Sequence, residues 1–387
     1  MVPVGPLQPD LVVVLVSGLR ADLPGESGAE AAFLAPFADD LSLVAQAAYA
    51  QSPDPVASMG SLLTGRYPSA VPICGSVRRD EGSDLDEVWC HRLPAEVDSL
   101  PGVLRHYGYR SALVHSLGPV PGFAEAFDLA LPLEPGATAW DTLEGPLDAW
   151  WYSEDVSPRL LVLQLGDLDL PRRPELLMEL DPSARDWARL GPHAPSPGPA
   201  RGHAQERLTP RRPPCTPLVG QQAGEPAVWD ALAGGEVDHE RQRSELLTVA
   251  SREASRLGLA LRHRLAQLPS ERPRTVVLAG LHGMSIAELG GTLADESELL
   301  WSDRIADRTV HVPLAFIGGL EGPLRVVEQP VELVDLLPTL LARGGAQAPH
   351  GLPGQDLLHP DWREEPGSAL AYAEYGDMLA LRQGDLL

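Results

Sequence analysis

Residues 11–16, Leu-Val-Val-Val-Leu-Val, form an unbroken apolar run, the pattern of a strand buried on both faces. Residues 159–165, 275–279 and 312–317 repeat that pattern, and shorter strands are predicted over 44–50, 111–115 and 369–374, the last strand of the chain. Between them the spacing changes to that of a helix. Leu246, Leu247, Ala250, Ala254, Leu257, Leu261, Leu265 and Leu268 mark an amphipathic helix that covers a sheet. Helices are also predicted over 32–43, over 99–106 with Ser99 as N-cap, and over 331–341 with a bend at Pro338.

The stretch 53–68 carries the fullest set of helix signals. Asp54 suits the N-cap and Pro55 the first helical position, Leu62 and Leu63 supply the buried side, and Gly65 and Pro68 end it. Strands alternating with helices over this length predict an α/β fold: a large, mostly parallel central sheet with helices on both faces. We assign it to one domain over 8–387, interrupted at about 171–238, where Pro, Arg, Gly and His replace the periodic pattern. That stretch reads as a surface insertion with one short helix near 176–180.

Charge narrows the partners. The net charge of −24 argues against nucleic acid or an anionic membrane surface. All 30 fixed cations are arginines, so no mechanism that needs a lysine ammonium can operate. Three cysteines, Cys74, Cys90 and Cys215, make no disulfide framework, and whether Cys74 and Cys90 pair is left open. No leader pattern and no membrane span is visible, which makes the chain soluble and cytoplasmic by default, or exported if a signal was removed.

Several of these pieces, in this order, resemble sulfatases of the alkaline-phosphatase-like superfamily. The resemblance is carried by residues 13–22, by Ser58 and Ser61-Leu-Leu-Thr-Gly-Arg-Tyr-Pro68, by Gly108-Tyr109-Arg110-Ser111 and by residues 276–283. It continues through Val312-Pro313-Leu314, residues 329–341 and Tyr372-Ala373-Glu374-Tyr375-Gly376. It implies the fold already predicted, with a C-terminal subdomain missing or truncated.

At the family's reactive positions the sequence departs from the pattern. The two metal carboxylates after the first strand align with Ser17 and Gly18, and the nucleophile aligns with Pro55. The arginine that orients the nucleophile aligns with Met59, and the proline of the modification motif with Ala57. The metal aspartate before His-Gly aligns with Leu281, leaving His282 in place. A hydroxyl and a glycine do not replace two carboxylates around calcium, and proline has no reactive side chain.

The reading is therefore a sulfatase-like pseudoenzyme that keeps its fold for binding or assembly, with no catalytic residue, no metal and no cofactor expected. The alternative is an active sulfuric or phosphoric ester hydrolase with a relocated set: Ser58, Ser61 or His115 for catalysis, and Asp167, Asp169 and His282 holding calcium. His282 by itself is equally readable as a hydrogen-bonded structural residue, and Asp167 and Asp169 as solvated loop acids. A third reading is a structural subunit that meets a protein partner through the 171–238 insertion.

Overall fold

The computed structural model describes residues 7–24, 31–71, 93, 97–116, 122–133, 146–153, 156–168, 239–268, 271–284, 305–360, 362, 370–375 and 378–383. The predicted insertion, Asp169 and the three cysteines lie outside these residues.

The uninterrupted strand runs assemble as the pattern predicts. A nine-stranded sheet is built from β1 (Asp10–Val16), β2 (Leu41–Tyr49), β3 (Arg110–His115), β4 (Leu129–Pro132), β5 (Arg159–Leu165), β6 (Arg274–Gly280), β7 (His311–Ile317), β8 (Arg325–Val327) and β9 (Val331–Glu332). The strand order is β4-β3-β5-β1-β6-β7-β2-β8, with β9 also on β2. Only β7 runs against its neighbours β6 and β2; the other pairings are parallel. β1 lies in the middle, with Val13 opposite Val162 of β5 and Val277 of β6.

Alternation along β1 divides the core in two. Leu11, Val13 and Leu15 face α1 (Pro55–Thr64), α2 (Leu100–His106) and α7 (Leu336–Arg343), sharing a cluster with Leu62, Leu104 and Leu340. Val12, Val14 and Val16 face α4 (Pro146–Trp151) and α5 (His239–Gln267), sharing a cluster with Leu147, Leu257 and Leu261. The short helices α3 (Phe123–Ala126) and α6 (Asp307–Val310) complete the set. Each fully buried leucine in these layers contributes about 2 kcal/mol. Among the described residues no helix is long and apolar enough to cross a membrane.

Three predicted elements differ. The helix over 32–43 is instead a turn, one 3-10 turn (Ala35–Phe37) and the start of β2 at Leu41. Pro36 removes an amide needed by a longer helix, and pairing of Leu41, Leu43 and Val44 with β7 takes the rest. The helix over 331–341 starts instead as a 3-10 turn (Leu333–Asp335) that runs into α7 at Leu336, because Val331 and Glu332 pair with Ala48 and Tyr49. Pro338 then falls in the first turn of α7, where its missing amide has no partner within that helix to lose. The strand predicted over 369–374 is β10 (Leu370–Tyr375), but it is not the last. β11 (Met378–Gln383) pairs with it as a separate antiparallel hairpin. Ser99 caps α2 by backbone geometry alone, without a side-chain hydrogen bond.

Candidate functional site

β1, β3, β5 and β6 are parallel, and β2 joins them in direction because it runs against β7. Their C-terminal ends therefore share one sheet edge, the edge where open α/β sheets bind ligands. α1 starts there. Asp54 accepts hydrogen bonds from the amides of Val56 (2.8 Å) and Ala57 (2.9 Å), and Pro55 takes the first position. Burial raises the Asp54 pKa against the pull of those two amides. The far end closes at Gly65, whose φ of 63° and 2.8 Å bond to the Ser61 carbonyl form the left-handed stop.

The predicted site residues do reach this edge, but in other roles. Pro55 and Met59 are buried packing residues, and Ala57 offers only its amide to Asp54. The Ser58 hydroxyl donates to the Ser52 carbonyl at 2.7 Å and accepts from the Ser52 amide at 3.2 Å, tying the entering loop to the helix. Ser61 is buried, and its hydroxyl has no partner among the described residues. Among the described residues neither serine is hydrogen-bonded to a histidine.

Ser17, at the end of β1, is fully buried. Its hydroxyl accepts from Gln164 Nε2 at 2.9 Å, and Gln164 Oε1 accepts from the Ser116 amide (2.8 Å) and hydroxyl (3.1 Å). Three adjacent strand ends, β1, β5 and β3, are thus tied by one neutral amide. Gln164 was not singled out in the sequence. A glutamine inside an apolar strand run is the signal that points to it, since a buried amide needs partners.

Gly18 adopts a φ of 70°, open to glycine and strained for most other residues. Leu281 is fully buried in the apolar cluster under α1, its amide bonded to the Val16 carbonyl at 2.9 Å. His115 and Asp167 are half-buried, at the end of β3 and just past β5.

The one family-type residue left in place, His282, is 1% exposed with Nδ1 2.6 Å from the Gly283 carbonyl. Burial lowers its pKa to about 4, against the opposing pull of that carbonyl. A depressed histidine pKa stabilises the fold fully above the unfolded value near 6.5 and is lost as pH falls toward 4. We therefore expect His282→Gln to flatten the acid limb. Between pH 7.5 and 5, wild type loses ~2 kcal/mol relative to the variant in urea titrations. Parallel curves for the two proteins refute this.

Calcium requires six to eight oxygen ligands. The hydroxyl of Ser17 is engaged, Gly18 has no side chain, Leu281 is apolar and His282 presents nitrogen, so these residues do not fit the ion. Among the described residues no group of three or more His, Cys, Asp or Glu side chains is placed to hold a metal. A cavity of about 390 Å³ lies between α2 and α3, lined in part by Val97, Ser99, Gly102 and Arg105. None of Ser17, Pro55 and Leu281 lines it.

No protein-family model matches the sequence. No curated protein matches it. Solved structures do. A 2-O GAG sulfatase superposes with a TM-score of 0.59 at 16% identity, covering 95% of this chain and 78% of its own. Phosphonate monoester hydrolase of Agrobacterium radiobacter gives 0.58 at 17%, covering 94% and 80%. A protein in the alkaline phosphatase superfamily from Vibrio parahaemolyticus gives 0.54 at 13%, covering 98% and 78%. At these identities the likeness is one of fold.

Proposed function

Starting from a sulfatase-like fold of the alkaline-phosphatase superfamily, we propose that this chain does not hydrolyse esters and keeps the fold as a binding or assembly module. The observation that carries the reading is the Ser17–Gln164–Ser116 network. Neutral, hydrogen-bonded groups, with Ser17 and Gln164 fully buried and Ser116 half-buried, stand where a hydrolase of this fold needs charge. Pro55 in the first turn of α1 and Leu281 in the core support the same conclusion, because neither side chain can attack phosphorus or sulfur or bind a cation. Reactive groups in such a site act as a unit, so losing one already removes most of the activity, and changes at Ser17, Gly18, Pro55, Met59 and Leu281 together leave little from which to rescue it.

The test is direct. Metal content by mass spectrometry, with turnover of aryl sulfate and aryl phosphate esters, should give no stoichiometric calcium and no rate above background. Stoichiometric calcium with turnover well above background overturns the proposal. In that event Ser61, whose hydroxyl is uncommitted among the described residues, is the first residue to replace.

A further inference from the structure

The β10–β11 hairpin is not part of the main sheet. A two-stranded hairpin is at best marginally stable by itself, so its order depends on how it is docked. Its apolar contact is small: Ala371 and Ala373 pack against Tyr49 and Val310. The rest of the contact is polar and centred on one carboxyl group. Glu332, at the end of β9, accepts from the Tyr372 amide at 2.8 Å, from the Tyr67 hydroxyl at 2.8 Å and from Gln51 Nε2 at 3.3 Å. Glu374 of β10 accepts from the amide (2.6 Å) and hydroxyl (2.7 Å) of Ser69, and its own amide donates to the Gln51 carbonyl at 2.7 Å. The Tyr67 and Tyr372 rings meet edge to face at 4.8 Å over this network.

Glu332 belongs to the body, yet the hairpin covers it. It is 9% exposed, and none of its hydrogen bonds among the described residues comes from a cation. The ionisable groups around it are acidic or phenolic: Asp335 on the following 3-10 turn, Tyr67 after α1, and Tyr372 and Glu374 on β10. Asp335 is held close because its carboxylate accepts from the Glu332 amide at 2.8 Å. Gln51 Oε1 is buried without a partner among the described residues.

We propose that the β10–β11 hairpin is held by a proton-operated latch centred on Glu332, closed when this carboxyl is protonated and loosened when it ionises. Docking strips water from an acid that has no cation among its described partners, and a proton removes the cost. Burial first, then the charge of Asp335, push the Glu332 pKa up from 4.5 to about 7, and the three hydrogen bonds offset only part of that. A raised folded-state pKa means that the stabilisation is complete below about 4.5 and is lost as pH rises through about 7. Gln51 stands three residues before the Asp54 cap, so the latch sits beside the start of α1, and its release frees the rim of the ligand edge.

Hydrogen–deuterium exchange across residues 370–383 at about pH 5 and about pH 8, corrected for intrinsic rates, tests the latch. Protection should fall about tenfold or more at the higher pH, while peptides from β1 keep theirs. Glu332→Gln, a neutral isostere, should leave the hairpin equally protected at both values. Tyr67→Phe removes a donor that favours the ionised form and should move the midpoint upward. Equal protection in wild type at both pH values overturns the proposal. So does a full pH dependence persisting in Glu332→Gln, or a midpoint that moves downward in Tyr67→Phe.

Discussion

Leu281→Asp, which puts a carboxylate where the sequence resemblance implies a metal-binding aspartate, is expected to cost ~5 kcal/mol of stability and to bind no calcium. The Leu281 side chain is fully buried among apolar residues that include Val56, Ala279 and Val312. Replacing it removes those contacts and puts an acid in the same space. The residues at the aligned metal positions supply no cation. Ser17 is tied to Gln164, Gly18 has no side chain, and the buried His282 is neutral at ordinary pH. The acid must either ionise without a counterion or take up a proton, and both are unfavourable. Thermal and urea denaturation with and without calcium make the measurement. A variant as stable as wild type, and further stabilised by calcium, would show that a latent metal site survives at this edge and would count heavily against the proposed function.

Gly283→Ala should be the second most damaging substitution, at ~3 kcal/mol, although it adds only one carbon. A Cβ at this position falls 2.0 Å from the Arg308 carbonyl oxygen and 3.0 Å from its carbon. Those are backbone atoms, held by the bond from the Gly283 amide to the Thr309 carbonyl at 2.9 Å. Thr309 is itself fastened at the Ala306 turn, where its hydroxyl donates to the Ala306 carbonyl at 2.9 Å. The clash therefore moves a main-chain segment and not a flexible side chain. It also disturbs the carbonyl that faces His282 Nδ1. Equilibrium unfolding of the variant measures the loss, and a change below about 0.5 kcal/mol, typical of a neutral surface site, refutes the steric argument.

The same residue gives the His-Gly pair a packing reason that is independent of any chemistry at the site. Gly283 is required by close backbone approach, and His282 is satisfied by a carbonyl next to it. Both retain a structural reason to be there without a metal. The α1 frame persists for a similar reason. Leu62 and Leu63 fill the core, and Gly65 supplies the left-handed stop where a Cβ would stand 2.7 Å from Leu337.

The elements most legible in the sequence were those whose signal is local. The apolar runs gave β1, β5, β6 and β7, because a strand buried on both faces takes apolar residues at nearly every position. The Asp54-Pro55 start and the Gly65 stop gave the bounds of α1, because the cap, the first turn and the end each depend on neighbours within a few residues. Failures came where a distant partner decides. Residues 32–43 and 331–335 have helical spacing, but the unpaired strand edges of β7 and β2 draw Leu41 onward and Val331-Glu332 into the sheet. Exposed Leu379 and Leu381 hid β11, whose only pairing partner among the described residues is β10.

The candidate site divides along the same line. Residue types alone determined that Pro55, Gly18 and Leu281 offer neither a nucleophile nor an ion ligand, since that follows from their covalent structure. Only the tertiary structure decided what fills the space. Gln164 comes from one strand, Ser17 from a second and Ser116 from the end of a third, and their hydrogen bonds exist because parallel pairing brings three strand ends to one edge. The Glu332 cluster is equally invisible along the chain. Its groups, Gln51, Tyr67, Glu332 and Tyr372, are scattered in sequence, and Glu332's raised pKa arises only when folding removes the water between them.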